Sequence, residues 1–122
     1  MENKDPLTEK IISCCFKVHN ELGPGFKERV YHNALKIFLD EEGLEYETER
    51  VFEINIKGEK VGNLKLDLIV ENKVVVELKA VVGYIPEVFK YQILSYLKVS
   101  RFNIGLLINF GNKSCQVKRF IY

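Results

Sequence analysis

Between Leu64 and Ala80 the chain alternates apolar and polar side chains in two runs separated by Glu71, Asn72 and Lys73. This is the pattern of an antiparallel hairpin closed by a short polar turn. Alternation puts Leu64, Leu66, Leu68 and Val70 on one face with Val74, Val76, Leu78 and Ala80, and leaves Lys65, Asp67, Glu77 and Lys79 on the other. If the three polar residues make the turn, Val70 faces Val74, and counting back along both strands brings Asp67 directly opposite Glu77. Like charges so placed cost up to about 1 kcal/mol. A divalent cation reverses that sign, because hard cations take one or two carboxylates, with waters and phosphates completing the shell. The plainer reading of the same alternation is a solvated charged face on a half-exposed sheet.

A length of 122 residues suits one domain, residues 1–122, built on one hydrophobic core. Apolar residues make up 47% and charged ones 29%, an ordinary globular balance. A formal charge of only +1 argues against coating a polyanion by bulk charge, while leaving room for a local basic patch. The three cysteines, two of them adjacent at Cys14 and Cys15, show neither a disulfide framework nor zinc-ligand spacing. No apolar run approaches the roughly 20 residues a membrane helix needs, and the polar start lacks a secretion signal. A cytoplasmic protein without membrane association is expected.

Along the chain, Asp5 and Pro6 offer a helix start, and Leu7, Ile11, Cys15, Val18 and Leu22 recur at helical spacing until Gly23-Pro24-Gly25. His19 on this helix reads as a structural or surface residue. A second helix is expected from about Phe26 to Glu42, with Phe26, Val30, Ala34, Ile37 and Phe38 as its apolar face and His32 exposed. Glu28 falls in its first turn, where a carboxylate suits the helix dipole, and shares a face with Tyr31. From Leu44 to Ile56 the alternation of a strand slips near Arg50-Val51, as a bulge would make it, and Lys57-Gly58-Glu59 supplies a turn. Pro86 opens a third helix with Val88, Phe89, Leu94 and Leu97 as core contacts and with Gln92 and Tyr96 on one side. Strands are expected over residues 102–110 and 115–122, with Lys113, Lys118 and Arg119 as a basic edge.

The resulting order, ααβββαββ, with an acidic residue on the second strand and E-x-K on the third, resembles the PD-(D/E)XK nuclease superfamily. Asp67 stands for its motif aspartate, Glu77-Leu78-Lys79 matches E-x-K, and Gln92 to Tyr96 matches the Q-x-x-x-Y helix of RecB-like branches. Gly25-Phe26-Lys27-Glu28-Arg29-Val30-Tyr31 resembles the defining sequence of the GxxExxY family within that superfamily. The similarity continues through Val76–Ala80 and Gly105–Gly111. The resemblance implies an α/β (α+β) restriction-endonuclease-like fold, a central mixed sheet with helices on its flanks. It also implies Mg²⁺ or Mn²⁺ held by Asp67, Glu77, the main-chain carbonyl of Leu78 and Glu28, with Lys79 assisting water attack. Gln92 and Tyr96 would orient Lys79 or a phosphate, and Lys65, Tyr31 and Lys79 would contact nucleic acid. At Lys65 the family pattern leads one to expect arginine, so the charge is kept without its bidentate geometry.

The expected activity is hydrolysis of phosphodiester bonds, with DNA as the first-choice partner and a homodimer left open. The alternative is a nucleic-acid- or protein-binding module that keeps the fold without turnover. A purely structural domain would leave the Asp67/Glu77 pair without a role.

Overall fold

A computed structural model describes residues 5–122. Its elements are α1 (Pro6–Leu22), α2 (Glu28–Glu41), β1 (Tyr46–Ile56), β2 (Glu59–Val70), β3 (Val74–Lys79), α3 (Glu87–Ser100), β4 (Ile104–Asn109) and β5 (Gln116–Ile121). The five strands form one mixed sheet in the order β1-β2-β3-β4-β5. β1 with β2 and β2 with β3 are antiparallel. From β3 to β4 the chain passes through α3, the kind of long crossover that a parallel neighbour requires. Element order and fold class are those expected of the sequence. Among the described residues no helix is long and apolar enough to cross a membrane.

The chain packs as two compact units. One holds the described part of Met1–Glu45 with Leu78–Ile85 and Ile108–Val117; the other holds Tyr46–Glu77, Pro86–Leu107 and Lys118–Tyr122.

In the first unit α1 starts where the Asp5 carboxylate accepts the Leu7 N–H at 3.0 Å, with Pro6 at the first position. It stops at Gly23, whose φ of 66° suits glycine and whose N–H donates to the His19 carbonyl at 2.8 Å. Its buried stripe is Ile11, Cys14, Cys15 and Val18, together with Thr8 and His19. α2 departs from expectation. Its buried face is Tyr31, His32, Leu35 and Leu39, while Phe26, Val30 and Ile37 are exposed. Tyr31, Leu35 and Leu39 recur every four residues, and this stripe outcompetes the one expected because it ends in an aromatic that the interior can satisfy. The Tyr31 hydroxyl donates to the Gly23 carbonyl at 2.6 Å and accepts the Phe26 N–H at 3.2 Å, and its ring stacks on Phe110 at 4.5 Å. His19 also stacks on Phe110, with ring centroids 6.3 Å apart, and its Nε2 lies 2.9 Å from the Asn112 carbonyl.

The same unit contains a stitched loop. Asn109 accepts the Val81 N–H and donates to the Val81 carbonyl, both at 2.9 Å. Asn112 does the same for Gly83 at 2.7 and 2.8 Å. Two side-chain amides thus stand in for a strand neighbour and satisfy main-chain groups just beyond β3. Both also donate to the Gln116 side-chain carbonyl, at 3.0 and 2.7 Å. Gly111 is obligatory here, since a Cβ at that position would collide with the Val81 main chain.

In the second unit the β1–β2 hairpin turns through only Lys57 and Gly58, both at positive φ, with Glu59 already paired to Ile56. The expected bulge is displaced. Register holds from Tyr46↔Val70 to Ile54↔Gly62 and shifts only between Ile54 and Asn55. Beside Arg50, Glu49 has φ 56° and is skipped by the ladder without a change of register, and Val51 is an exposed β-branched residue on an edge strand, where burial does not select polarity. A core of Leu64, Leu66, Ile69, Val75 and Leu97 is covered by Phe52, Ile54, Tyr96, Val99, Phe102 and Phe120. On α3 the buried residues are Ile93 and Leu97, and Val88 is exposed, contrary to expectation. Gly105 admits the Ile93 side chain so closely that a Cβ would sit 2.9 Å from its Cδ1.

Candidate active site

The β2–β3 turn closes through a Lys73 N–H to Val70 carbonyl bond of 3.0 Å, with Glu71 and Asn72 both at φ 53°. Val70 pairs with Val74, Ile69 with Val75 and Leu68 with Val76. The next position along both strands is Asp67 and Glu77. There the ladder gives way to a different contact: the Asp67 N–H donates to Glu77 Oε1 at 3.3 Å. β2 continues beside β1 while its pairing to β3 ends, so the two acidic residues sit at the opening between strands.

This opening is not a solvated charged face. Ile69 and Val75, on the same side one pair closer to the turn, are buried, as is every residue of β3 from Val74 to Leu78. Glu77 itself is only 5% exposed, and Asp67 is half-buried. A carboxylate so deep costs free energy unless hydrogen bonds or a cation compensate, and the main-chain N–H of Asp67 is one such partner.

Tyr96 approaches from α3, where it covers the core that includes Ile69 and Val75. Its phenol is pushed above the usual tyrosine range by burial first, then by the carboxylates of Glu77 and Asp67. Both carboxylates thus act electrostatically on Tyr96, while the Asp67 main chain bonds Glu77 directly. Gln92 lies one turn earlier on the same side of α3 and is half-buried. Lys79 follows Glu77 by two residues on β3, which puts it on the same face of that strand, and its carbonyl accepts the Phe110 N–H at 2.9 Å. The Leu78 side chain is buried on the opposite face.

Lys65, two residues before Asp67, is exposed and stands 4.0 Å from Glu49 Oε1. An exposed pair at that separation contributes little to stability. Glu49 occupies φ 56° within β1, a backbone conformation unusual for glutamate. It falls at the register position opposite Asp67, between the Thr48↔Leu68 and Arg50↔Leu66 pairs. The sequence pattern held no signal for this residue.

In the G-x-x-E-x-x-Y segment, Gly25 has φ 111°, Glu28 is exposed in the first turn of α2, and Tyr31 is fully buried. The expectation that Tyr31 touches nucleic acid is corrected: both ring and hydroxyl are committed to the α1–α2 connection and to Phe110. His32, expected exposed, is 7% exposed. Among the described residues no three His, Cys, Asp or Glu side chains are grouped to hold a metal ion.

A sequence model described as the PD-(D/E)XK nuclease superfamily matches residues 5–120. No curated protein matches the sequence. Among solved structures, the crystal structure of SSO0001 is similar, with a TM-score of 0.61 and 21% identity over 76% of this chain and 48% of that one. At that identity the likeness is one of fold, and this chain spans just under half the length of SSO0001.

Proposed function

The chain belongs to the PD-(D/E)XK nuclease superfamily, and from that premise we propose that it hydrolyses phosphodiester bonds of DNA at Asp67 and Glu77, with Mg²⁺ or Mn²⁺ held between them. The observation that supports this reading is the bond from the Asp67 main-chain N–H to Glu77 Oε1 where β2 and β3 part, with both carboxylates also pushing the Tyr96 phenol up.

The donor set fits a hard cation. Two carboxylates and the main-chain carbonyl of Leu78 would supply oxygen ligands, and Mg²⁺ ordinarily takes no more than one or two carboxylates from protein. Glu28, the exposed acid of the G-x-x-E-x-x-Y segment, is the proposed further ligand, directly or through water. When bound, the cation supplies a Lewis acid for the phosphoryl oxygens and a more acidic water at neutral pH. Glu77, oriented by the Asp67 N–H, holds its carboxylate ready without reorganisation. Lys79 presents a cation on the same strand face, where it positions the attacking water and stabilises charge developing on phosphorus oxygens. Tyr96 stays a neutral donor because burial and the two carboxylates oppose its ionisation. Gln92 and Tyr96 orient Lys79 or a phosphate, and Lys65 contacts the backbone of the substrate. The Gly25–Tyr31 segment supports placing the chain in the GxxExxY branch.

The alternative reading is a nucleic-acid- or protein-binding module that keeps the superfamily fold without turnover. Single-turnover cleavage of labelled single- and double-stranded DNA and RNA, with Mg²⁺, Mn²⁺ or chelator, separates them. The wild type should cleave DNA only with metal, and Asp67→Asn and Glu77→Gln should not. Lys79→Ala should keep binding yet lose roughly 100-fold or more in rate. Binding without cleavage under every condition would establish the second reading.

A further inference from the structure

Beyond the carboxylate pair, the connection from β3 to α3 carries a feature the proposed chemistry does not use. Tyr84 is 99% exposed and Val82 87%, an unusual display of apolar surface on a short connection. The connection is not loosely held: Asn109 and Asn112 bond both main-chain groups of Val81 and Gly83, and Gly111 lets the backbones approach closely. Beside Tyr84 lies an open cavity of about 380 Å³ lined by Gly83, Tyr84, Asn112, Lys113, Ser114 and Gln116.

The chemistry of that lining is specific. Both asparagine Nδ2 groups donate to the Gln116 side-chain oxygen, which fixes the orientation of its amide and leaves its Nε2 as a donor with no protein partner among the described residues. Lys113 has no ion-pair partner among the described residues, and Ser114 adds a hydroxyl. An aromatic face, a cation and two neutral donors around one cavity suit a ligand with a flat π-surface and an anionic group a few ångströms away.

We propose that this cavity is a second, non-catalytic nucleic-acid site, in which an unpaired base stacks on Tyr84 while the adjoining phosphate is met by Lys113, Ser114 and Gln116 Nε2. The occupant is single-stranded nucleic acid, since a base within a duplex has no face to offer. The inference rests on the nuclease reading for its choice of ligand and gives that reading a strand preference. Stacking on an exposed aromatic is tolerant of sequence, so the site grips a strand without selecting bases. Because the asparagine stitching fixes the connection before binding, little ordering cost offsets the contact.

The test is fluorescence anisotropy of labelled oligo-dT, oligo-U and a DNA duplex, with chelator present so that no strand is cut. Wild type should bind both single strands more tightly than duplex. Tyr84→Ala should weaken single-strand binding about 5- to 100-fold, while Tyr84→Phe, which keeps the ring, should bind like wild type. Lys113→Ala should reduce the slope of log affinity against log salt by about 0.7, one phosphate's worth for a single strand. Thermal melts control for folding; Tyr84 is exposed, so both Tyr84 variants should melt with the wild type. Equal single-strand affinity of wild type and Tyr84→Ala overturns the proposal, as does preference for duplex or failure of the wild type to bind either single strand. Metal-dependent cleavage of duplex DNA, measured separately, would in those cases leave the proposed activity standing.

Discussion

Replacing Asp67 by asparagine should change the sign of its effect on stability when metal is added. In the metal-free protein the substitution removes a carboxylate beside the buried Glu77, and it leaves the Asp67 N–H to Glu77 bond in place because that bond is made by the main chain. Relief of like-charge repulsion between neighbouring strands is worth about 0.2–1 kcal/mol. For a chain of this length that corresponds to a rise of roughly 1–4 °C in Tm. With Mn²⁺ at about 100 times its Kd, the wild type should gain about 2.7 kcal/mol from binding. Loss of even an indirect metal partner commonly weakens affinity about 10- to 100-fold. At the same Mn²⁺ concentration the variant should then gain only about 0.4–1.4 kcal/mol. The variant should therefore melt above wild type in chelator and below it in Mn²⁺. Paired thermal melts monitored by circular dichroism read both signs. An apo variant destabilised by more than about 1 kcal/mol, with the metal-induced shift intact, would refute the reasoning and assign Asp67 a structural partner instead.

Tyr31→Phe should lower stability by about 1–3 kcal/mol in denaturant melts, because it strips the Gly23 carbonyl and Phe26 N–H of their shared partner; nucleic-acid affinity should not change. Tyr96 should titrate later than an ordinary tyrosine, and Glu77→Gln or saturating Mg²⁺ should each bring it back toward the usual value, as read by NMR of its ring carbon. With its native pKa raised, Tyr96 contributes stability fully present below the unfolded value of about 10 and lost as pH climbs through the native one; alkaline melts of Tyr96→Phe should lack that component. Cys115, pushed up to about 11 by burial, remains a thiol at pH 8, so its alkylation in the native protein should be roughly 100-fold slower than in urea.

Elements whose boundaries are set by local chemistry were legible in the sequence. Asp5-Pro6 opens α1, Gly23 closes it and Pro86 precedes α3, each because the backbone there needs a cap, a positive φ or a missing N–H. The β2–β3 register was legible for a similar reason: a one-residue slip would expose the Leu64–Val70 face, so turn length and burial agree on a single pairing. What local chemistry could not supply was the burial of amphipathic side chains. Tyr31 and His32 look polar enough for solvent, and the choice of α2 face turned on Gly23, Phe26 and Phe110, which the spacing within one helix does not reveal.

The same limit explains the site. Alternation placed Asp67, Glu77 and Lys79 on one side of their strands, but it also suggested water over that side. Tertiary packing decides otherwise: Ile69 and Val75 continue the core up to the pair, and Tyr96 covers it. A charged pair at a solvated surface would be screened and weakly coupled to anything that binds. Set against an apolar wall, with one carboxylate 5% exposed, the same pair exerts a field that few solvent dipoles reduce. Its repulsion and its attraction for a cation grow together. On the proposed reading, the same setting that makes the pair unfavourable by itself would favour a small, hard, doubly charged ion between its members. In the proposed site the strength of that attraction would depend on the burial that Ile69, Val75 and Tyr96 provide as well as on the acids themselves.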